Sequence, residues 1–384
     1  MIDSLLPLLP FIFIAPPLFY GLASLYCGRR FFLAADSGGT FHPPVSIIKP
    51  VKGEDCESYD NFASFCRQDY PVYQIIFAVA AADDPAVPVI RRLMNEFPAV
   101  DLELVVDGRI YGPNYKVSNL INAYPKAKHD IIIICDSDIR VRSHYLREIT
   151  KHFMDEKVGL VSSLYRSPRV QNAATAIEAM GFTAEMISNV VVALHLEGLT
   201  FALGASMAVR RRALEKIGGF RALVDYLADD YHLGNMIHRA GFKLVLSAYF
   251  VESIMQRESL CSVLSRQLRW ARTIRASRSA GYFASGITQP APAVMLALVA
   301  SGFSAPGWYA VLILVIVRLF CATIFSRAYV KDNIFPRFLW LLPLRDLLAS
   351  TIWMLSFLGD RVVWRSRAFV VMPGGKIRDI GAAY

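Results

Sequence analysis

The chain has 384 residues, 54% of them hydrophobic, with a positive mean hydropathy and a net charge of 41 − 32 = +9. That is high in apolar residues for a soluble protein and low for a pure membrane bundle, so a soluble domain joined to a few membrane segments fits best. The cationic excess suits a phosphorylated ligand or an acidic lipid surface, and the absence of a basic run or nucleic-acid motif points away from nucleic acid. Six scattered cysteines (Cys27, Cys56, Cys66, Cys135, Cys261, Cys321), with no CxxC and no Cys/His cluster, argue against a zinc site or a disulfide scaffold and for a reduced compartment.

Leu5 to Cys27 is an uncharged apolar run of 23 residues, long enough to span a bilayer, and a membrane helix tolerates its four prolines. Only Asp3 precedes it, which does not make the positive n-region of a signal peptide, so an uncleaved anchor is expected. Arg29 and Arg30 follow at once, and the positive-inside rule then puts the downstream chain in the cytoplasm.

Between Pro43 and Glu258 short β-branched runs alternate with helical periods. The segments 45–50, 73–80, 102–107, 130–136 and 157–163 predict buried parallel strands, and Val87 to Phe97 and Ser143 to Met154 predict crossover helices. The result is an open α/β sheet, in which ligands sit beyond the carboxyl ends of the strands. Acidic pairs stand there: Asp83 and Asp84 after the second strand, Asp136 and Asp138 after "IIIIC". A third pair, Asp229 and Asp230, opens a helix. One such pair could be a helix cap or a turn. Three in this order favour a site.

Two carboxylates one residue apart at a strand end can both face a divalent ion, and hard oxygen donors suit Mg²⁺ or Mn²⁺ bound together with ligand phosphates. Asp230 could act as a general base on an acceptor hydroxyl, and Asp84 could accept hydrogen bonds from a base or ribose. In "GPNYKVSNL" Lys116 falls near the start of a helix, a favourable place for phosphate, though an isolated lysine is commonly just solvated. "SRQLRWARTIR" (265–275) puts Arg266 and Arg269, and Arg266 and Trp270, on one helical face, as either a site motif or a headgroup anchor.

Apolar character returns near the carboxyl end. Trp308 to Phe325 is a span broken only by Arg318, and Ala291 to Phe303 is short for a full span. Phe338 to Leu358 carries Arg345 and Asp346, so an interfacial or re-entrant course is expected for it. Two full crossings and one irregular segment would leave a basic tail (Arg361, Arg365, Arg367, Lys376, Arg378) in the cytoplasm.

The order "KPVKGED", "ADDPA", "GPNYK", "CDSDIRV", "LADDYHL", "RQLRW" resembles the ceramide-glucosyltransferase family, membrane glycosyltransferases with a GT-A domain whose bacterial relatives glycosylate hopanoids. The resemblance implies an N-terminal transmembrane anchor (1–30), a cytoplasmic GT-A catalytic domain (43–258), an interfacial helix with the RxxRW motif (259–285), C-terminal membrane segments (286–360) and a basic tail (361–384). It implies Asp84 at the uridine of the donor, Asp136 at the metal and diphosphate with Asp138 as its companion, and Lys116 at the diphosphate. Asp230 would be the catalytic base, and Arg266, Arg269 and Trp270 would lie near acceptor and leaving group. Ala81 stands where relatives often carry a further acid, which leaves the division between Asp83 and Asp84 open. Arg266 occupies the position where processive polysaccharide synthases usually carry glutamine.

The expected activity is therefore an inverting, metal-dependent hexosyltransferase. It would move one sugar from a UDP-sugar to a ceramide-type or hopanoid-type lipid in a bacterial inner membrane. The alternatives are a processive synthase and a non-catalytic membrane protein that keeps the fold.

Overall fold

Alternate residues of "IIIIC" face opposite sides of one strand. Ile131, Ile133 and Cys135 join one apolar core, and Ile132 and Ile134 join the other. A strand with a core on each face needs apolar residues at every position, which explains the unbroken run. The structure is a computed structural model describing residues 6–34, 41–365 and 367–382. The first five residues of the expected anchor, and Ser366 and the last two residues of the expected tail, lie outside them.

Eight strands form the main sheet: β1 (Val45–Pro50), β2 (Tyr73–Val79), β3 (Asp101–Val106), β4 (Ile131–Cys135), β5 (Ile139–Arg140), β6 (Val158–Arg166), β7 (Ser206–Arg210) and β8 (Lys243–Ser253), in the order β3-β2-β1-β4-β7-β6-β8-β5. The five runs read from sequence are all strands, and β1 to β4 are mutually parallel as expected. The sheet as a whole is mixed, because β7 runs antiparallel between β4 and β6. The ends of β1, β2, β4, β6 and β8 and the start of β7 therefore share one edge; the loops leaving β2 and β4 there carry the first two acidic pairs, and the third opens the helix Asp229–Arg239 that packs beside them.

Four helices are long and apolar enough to cross a membrane by length and composition: Leu9–Ala34, Ala173–Glu197, Ala305–Val330 and Phe335–Ser356. The second is 72% buried over its apolar window, so it is covered by protein and not by lipid. A further pair, Ser279–Thr288 and Pro290–Ala300, bends by 51°. Phe338 to Leu358 is helical through most of its length, with non-helical backbone at Phe338, and it follows residues 331–332 that bond back to Arg166 and Thr183 of the domain.

Pairing explains why the regular helices carry charge. Arg318 Nε and Nη2 donate to Asp346 at 3.0 and 2.9 Å, and Arg345 pairs with Glu185 on the covered helix. Buried opposite charges of this kind cancel most of the penalty that either would incur alone. The apolar helices join the domain without a gap: Phe325 and Val330 are buried in the same core as Ile132 and Ile134.

After the last apolar helix the chain forms a second, antiparallel sheet of β9 (Arg361–Trp364), β10 (Arg367–Val371) and β11 (Ile377–Ala382), so the expected basic tail is folded.

Candidate active site

The site starts from a lysine that interrupts an apolar strand. Lys49 in β1 is fully buried, with Nζ donating to the Asp136 carbonyl at 2.9 Å and lying 3.8 Å from the centre of the Phe65 ring. Burial pushes its ammonium below the usual lysine range, against the attraction of Asp138 and Asp136. It fixes the backbone at the point where β4 ends. Sequence reading missed this role; a lysine inside "VSIIKP" was the available signal.

Asp136 has a side chain 37% exposed, and its Oδ1 lies 2.7 Å from Lys116 Nζ. Asp138 accepts from Ser253 Oγ at 3.2 Å. Desolvation, together with Asp136 and Asp55, pushes the Asp138 carboxyl up to about 6, and Ser137 between the two aspartates donates to Asp55. Asp136 and Asp138 are a like-charged pair of hard oxygen donors. Among the described residues, no three His, Cys, Asp or Glu side chains converge to hold a metal by themselves. The pair fits a cation such as Mg²⁺ or Mn²⁺, which completes its shell with water and phosphate oxygens.

Lys116 stands in the first turn of the helix Tyr115–Ala123, which begins at Asn114. The Asn114 side chain accepts from the Val117 N–H at 3.1 Å and donates to the Tyr226 carbonyl at 2.8 Å and toward Asp229 Oδ1 at 3.4 Å. "GPNYK" is thereby tied to "LADD". Lys116 Nζ also lies 3.5 Å from Asp229 Oδ2. Burial alone would lower the Lys116 ammonium, but Asp136 and Asp229 beside it hold it above its ordinary range.

Asp229 is buried in this network, whereas among the described residues the Asp230 carboxylate accepts only the Tyr231 N–H, at 2.8 Å. A Cβ at Gly204 would come within 2.8 Å of Asp230 Oδ2, so the absent side chain gives the carboxylate room. Desolvation and then the neighbouring Asp229 charge lift Asp230 to about 6, against the pull of Lys116.

Asp84 accepts from the Gly53 N–H at 3.0 Å on both oxygens and from the Ala86 N–H at 2.9 Å. It is at once a cap for the following helix and a tie to the loop after β1. Gly53, with φ +74°, sits in the left-handed region that favours glycine. Asp83 is exposed and outside this contact.

The basic motif lies on the helix Leu260–Ser277. Arg266 gives Nε and Nη2 to Glu178 and Nη1 to both oxygens of Glu258, at 2.8 and 2.9 Å. Its donors are therefore committed to the scaffold. Trp270 packs against Ala179, Phe182, Met255 and Ile334. Arg269 differs: among the described residues its guanidinium has no carboxylate partner, only the Trp364 ring 5.9 Å away. Desolvation, and then Arg266, push it down to about 10, against the pull of Asp230. Glu178, Glu258, Asn114, Asp55 and Gly204 were not singled out by sequence, because each acts only through a partner distant in the chain.

The profile described as Glycosyl transferase family 21 matches residues 9–377. Ceramide glucosyltransferase 3 of Caenorhabditis elegans is 28% identical over 345 residues, 87% of this chain and 74% of that protein. Ceramide glucosyltransferase 1 of the same organism is 27% identical over 348 residues, 88% and 73% of the two. In fold the chain is similar to a mannosyltransferase from Pyrobaculum calidifontis in complex with GDP-Man and Mn²⁺, with a TM-score of 0.55 and 17% identity over 92% of this chain and 98% of that one. The mixed α/β sheet is that of GT-A glycosyltransferases. The chain belongs to glycosyl transferase family 21 and is a sugar-transferring enzyme.

Proposed function

We propose that the protein transfers a single sugar, with inversion, from a UDP-sugar to the hydroxyl of a membrane lipid. The observation that carries this reading is the convergence, at one sheet edge beside the apolar helices, of the Asp136/Asp138 pair, Asp230 and the unpaired cation of Arg269. The ceramide named for the worm relatives supports a ceramide-type lipid acceptor, with a hopanoid-type polyol as the alternative.

Asp84 is held where it can receive the nucleoside, and Lys116 and Arg269 offer two cations to the diphosphate. Asp136 and Asp138 would hold a Mg²⁺ or Mn²⁺ ion, which when bound neutralises charge on the departing diphosphate. Asp230, with a carboxyl near 6, is largely ionised at neutral pH yet basic enough to take the proton of an attacking hydroxyl. The lipid hydroxyl attacks the anomeric carbon, the bond to the diphosphate oxygen breaks, and the proton passes to Asp230. Lys116 exchanges its contact with Asp136 for one with the diphosphate. The catalytic domain faces the cytoplasm, as Arg29 and Arg30 after the first helix favour.

Product analysis tests the reading. With an α-linked UDP-sugar and lipid vesicles, mass spectrometry and NMR are expected to find one sugar per lipid in β linkage. A polymer would instead establish the processive alternative, and retained α linkage would exclude a single displacement.

A further inference from the structure

The strands β9, β10 and β11 form a sheet docked on the elements that carry the candidate site. Ile377 N–H donates to the Asp225 carbonyl at 2.7 Å and Tyr226 bridges Lys376, just ahead of Asp229 and Asp230. Tyr115, next to Lys116, donates its hydroxyl to Asp379 at 3.2 Å and lies 5.1 Å beneath the Arg367 guanidinium. Arg365 Nη1 donates to the Lys52 carbonyl at 2.8 Å, beside the Gly53 that holds Asp84. The Trp364 ring faces Arg269. Val362, Phe369, Val371 and Ile377 bury a small core with Leu227. Gly375, with φ +83°, fits against the domain so closely that a Cβ there would come within 2.5 Å of Ser277 Oγ and 2.6 Å of His232 Nε2.

Arg365 has the left-handed φ of +46°, which a residue with a side chain rarely adopts, and its side chain is open to solvent. Among the described residues, neither it nor Arg269 has a carboxylate partner, although each is close enough for Arg365 to disfavour the charge on Arg269. Two neighbouring cations without carboxylate partners repel each other unless an anion lies between them.

We propose that the C-terminal sheet is the roof of the nucleotide-sugar site and that Arg365 is a donor-binding residue holding the diphosphate together with Arg269. The inference rests on the donor reading above and extends it to a segment whose composition reads only as a basic tail.

The test uses the full-length enzyme in phospholipid vesicles, with Arg365→Ala, Arg365→Lys and Gly375→Val beside the wild type. Donor KM, lipid KM, kcat and the inhibition constant of UDP are measured. Arg365→Ala is expected to raise donor KM and the UDP constant by roughly tenfold and leave lipid KM within about twofold, with Lys recovering part of the loss. Gly375→Val, which wedges the roof away, is expected to raise the same two constants and to open residues 361–382 to protease. Donor KM and the UDP constant both unchanged in Arg365→Ala would overturn the proposal, as would a loss confined to kcat or to lipid KM. A wild type that UDP does not inhibit would instead sink the donor reading, and the roof with it.

Discussion

Asp230 and Arg266 show how far neighbours decide what a residue of a motif does. Asp230 lies beside a buried carboxylate, so its carboxyl rises to about 6, well above the ordinary aspartate. A base must be ionised to act, so kcat/KM is expected to fall about tenfold per pH unit below about 6. A profile flat down to pH 5 would contradict the role. The sign for stability is opposite: the folded chain holds this proton more tightly than the unfolded one, so the contribution of Asp230 to stability decreases as pH rises from about 4 to about 6.

Arg266 is held by two glutamates, one of them buried. Arg266→Ala is expected to cost about 3–5 kcal/mol of stability, because Glu178 is left buried without its partner. A denaturant titration in detergent reads this; an unchanged midpoint with a raised donor KM would instead put Arg266 at the donor. The first two acidic pairs were legible because Asp stands out at the end of an apolar run, and the third because two adjacent aspartates open a helix. Lys49, Asn114 and the glutamates around Arg266 were not, since nothing in the local pattern of residues says which distant group each will meet.

At the scale of elements, the parallel half of the sheet was readable because a strand buried on both faces must be apolar throughout. β7 and β8 were harder. β7 is a short "SMAVR" between loops, and β8 mixes buried and half-buried positions, so neither makes a continuous run. The charges in the apolar helices were read as costs, whereas in the folded chain they are cross-helix pairs. Arg318→Ala is expected to destabilise the membrane region by about 3 kcal/mol, the cost of leaving Asp346 unpaired among apolar helices. Thermal inactivation in detergent measures it, and the double variant Arg318→Leu with Asp346→Leu should recover most of the loss. Equal loss in the single and double variants would show that the pair does not act as a unit.

The whole molecule links these levels. The second sheet sits on the catalytic domain, so both lie on the same side of any bilayer, and an even number of crossings must separate residue 258 from residue 361. The bent pair 279–300 and the helix Ala305–Val330 are the candidates for these two: Val330 is buried in the domain core and Arg166 donates to the Val330 and Lys331 carbonyls, so we propose that Phe335–Ser356 begins and ends on the domain's side. A cysteine-accessibility scan is expected to label the connection 331–334 and the tail from the same side, and the connection 301–304 from the other. Labelling of 331–334 and the tail from opposite faces would contradict that course.

The central claim is transfer of sugar to lipid with Asp230 as the base. The most direct measurement is transfer of radiolabelled sugar from UDP-glucose, UDP-galactose or UDP-N-acetylglucosamine into vesicles containing ceramide or a hopanoid polyol, with Mg²⁺ or Mn²⁺ present, by wild type and Asp230→Asn. The expected result is labelled lipid from the wild type with at least one of these donors. The Asn variant should transfer about a hundredfold or more slowly while UDP still binds it within a few-fold. Equal transfer by the two proteins, or release of label only as free sugar or polymer, would contradict it.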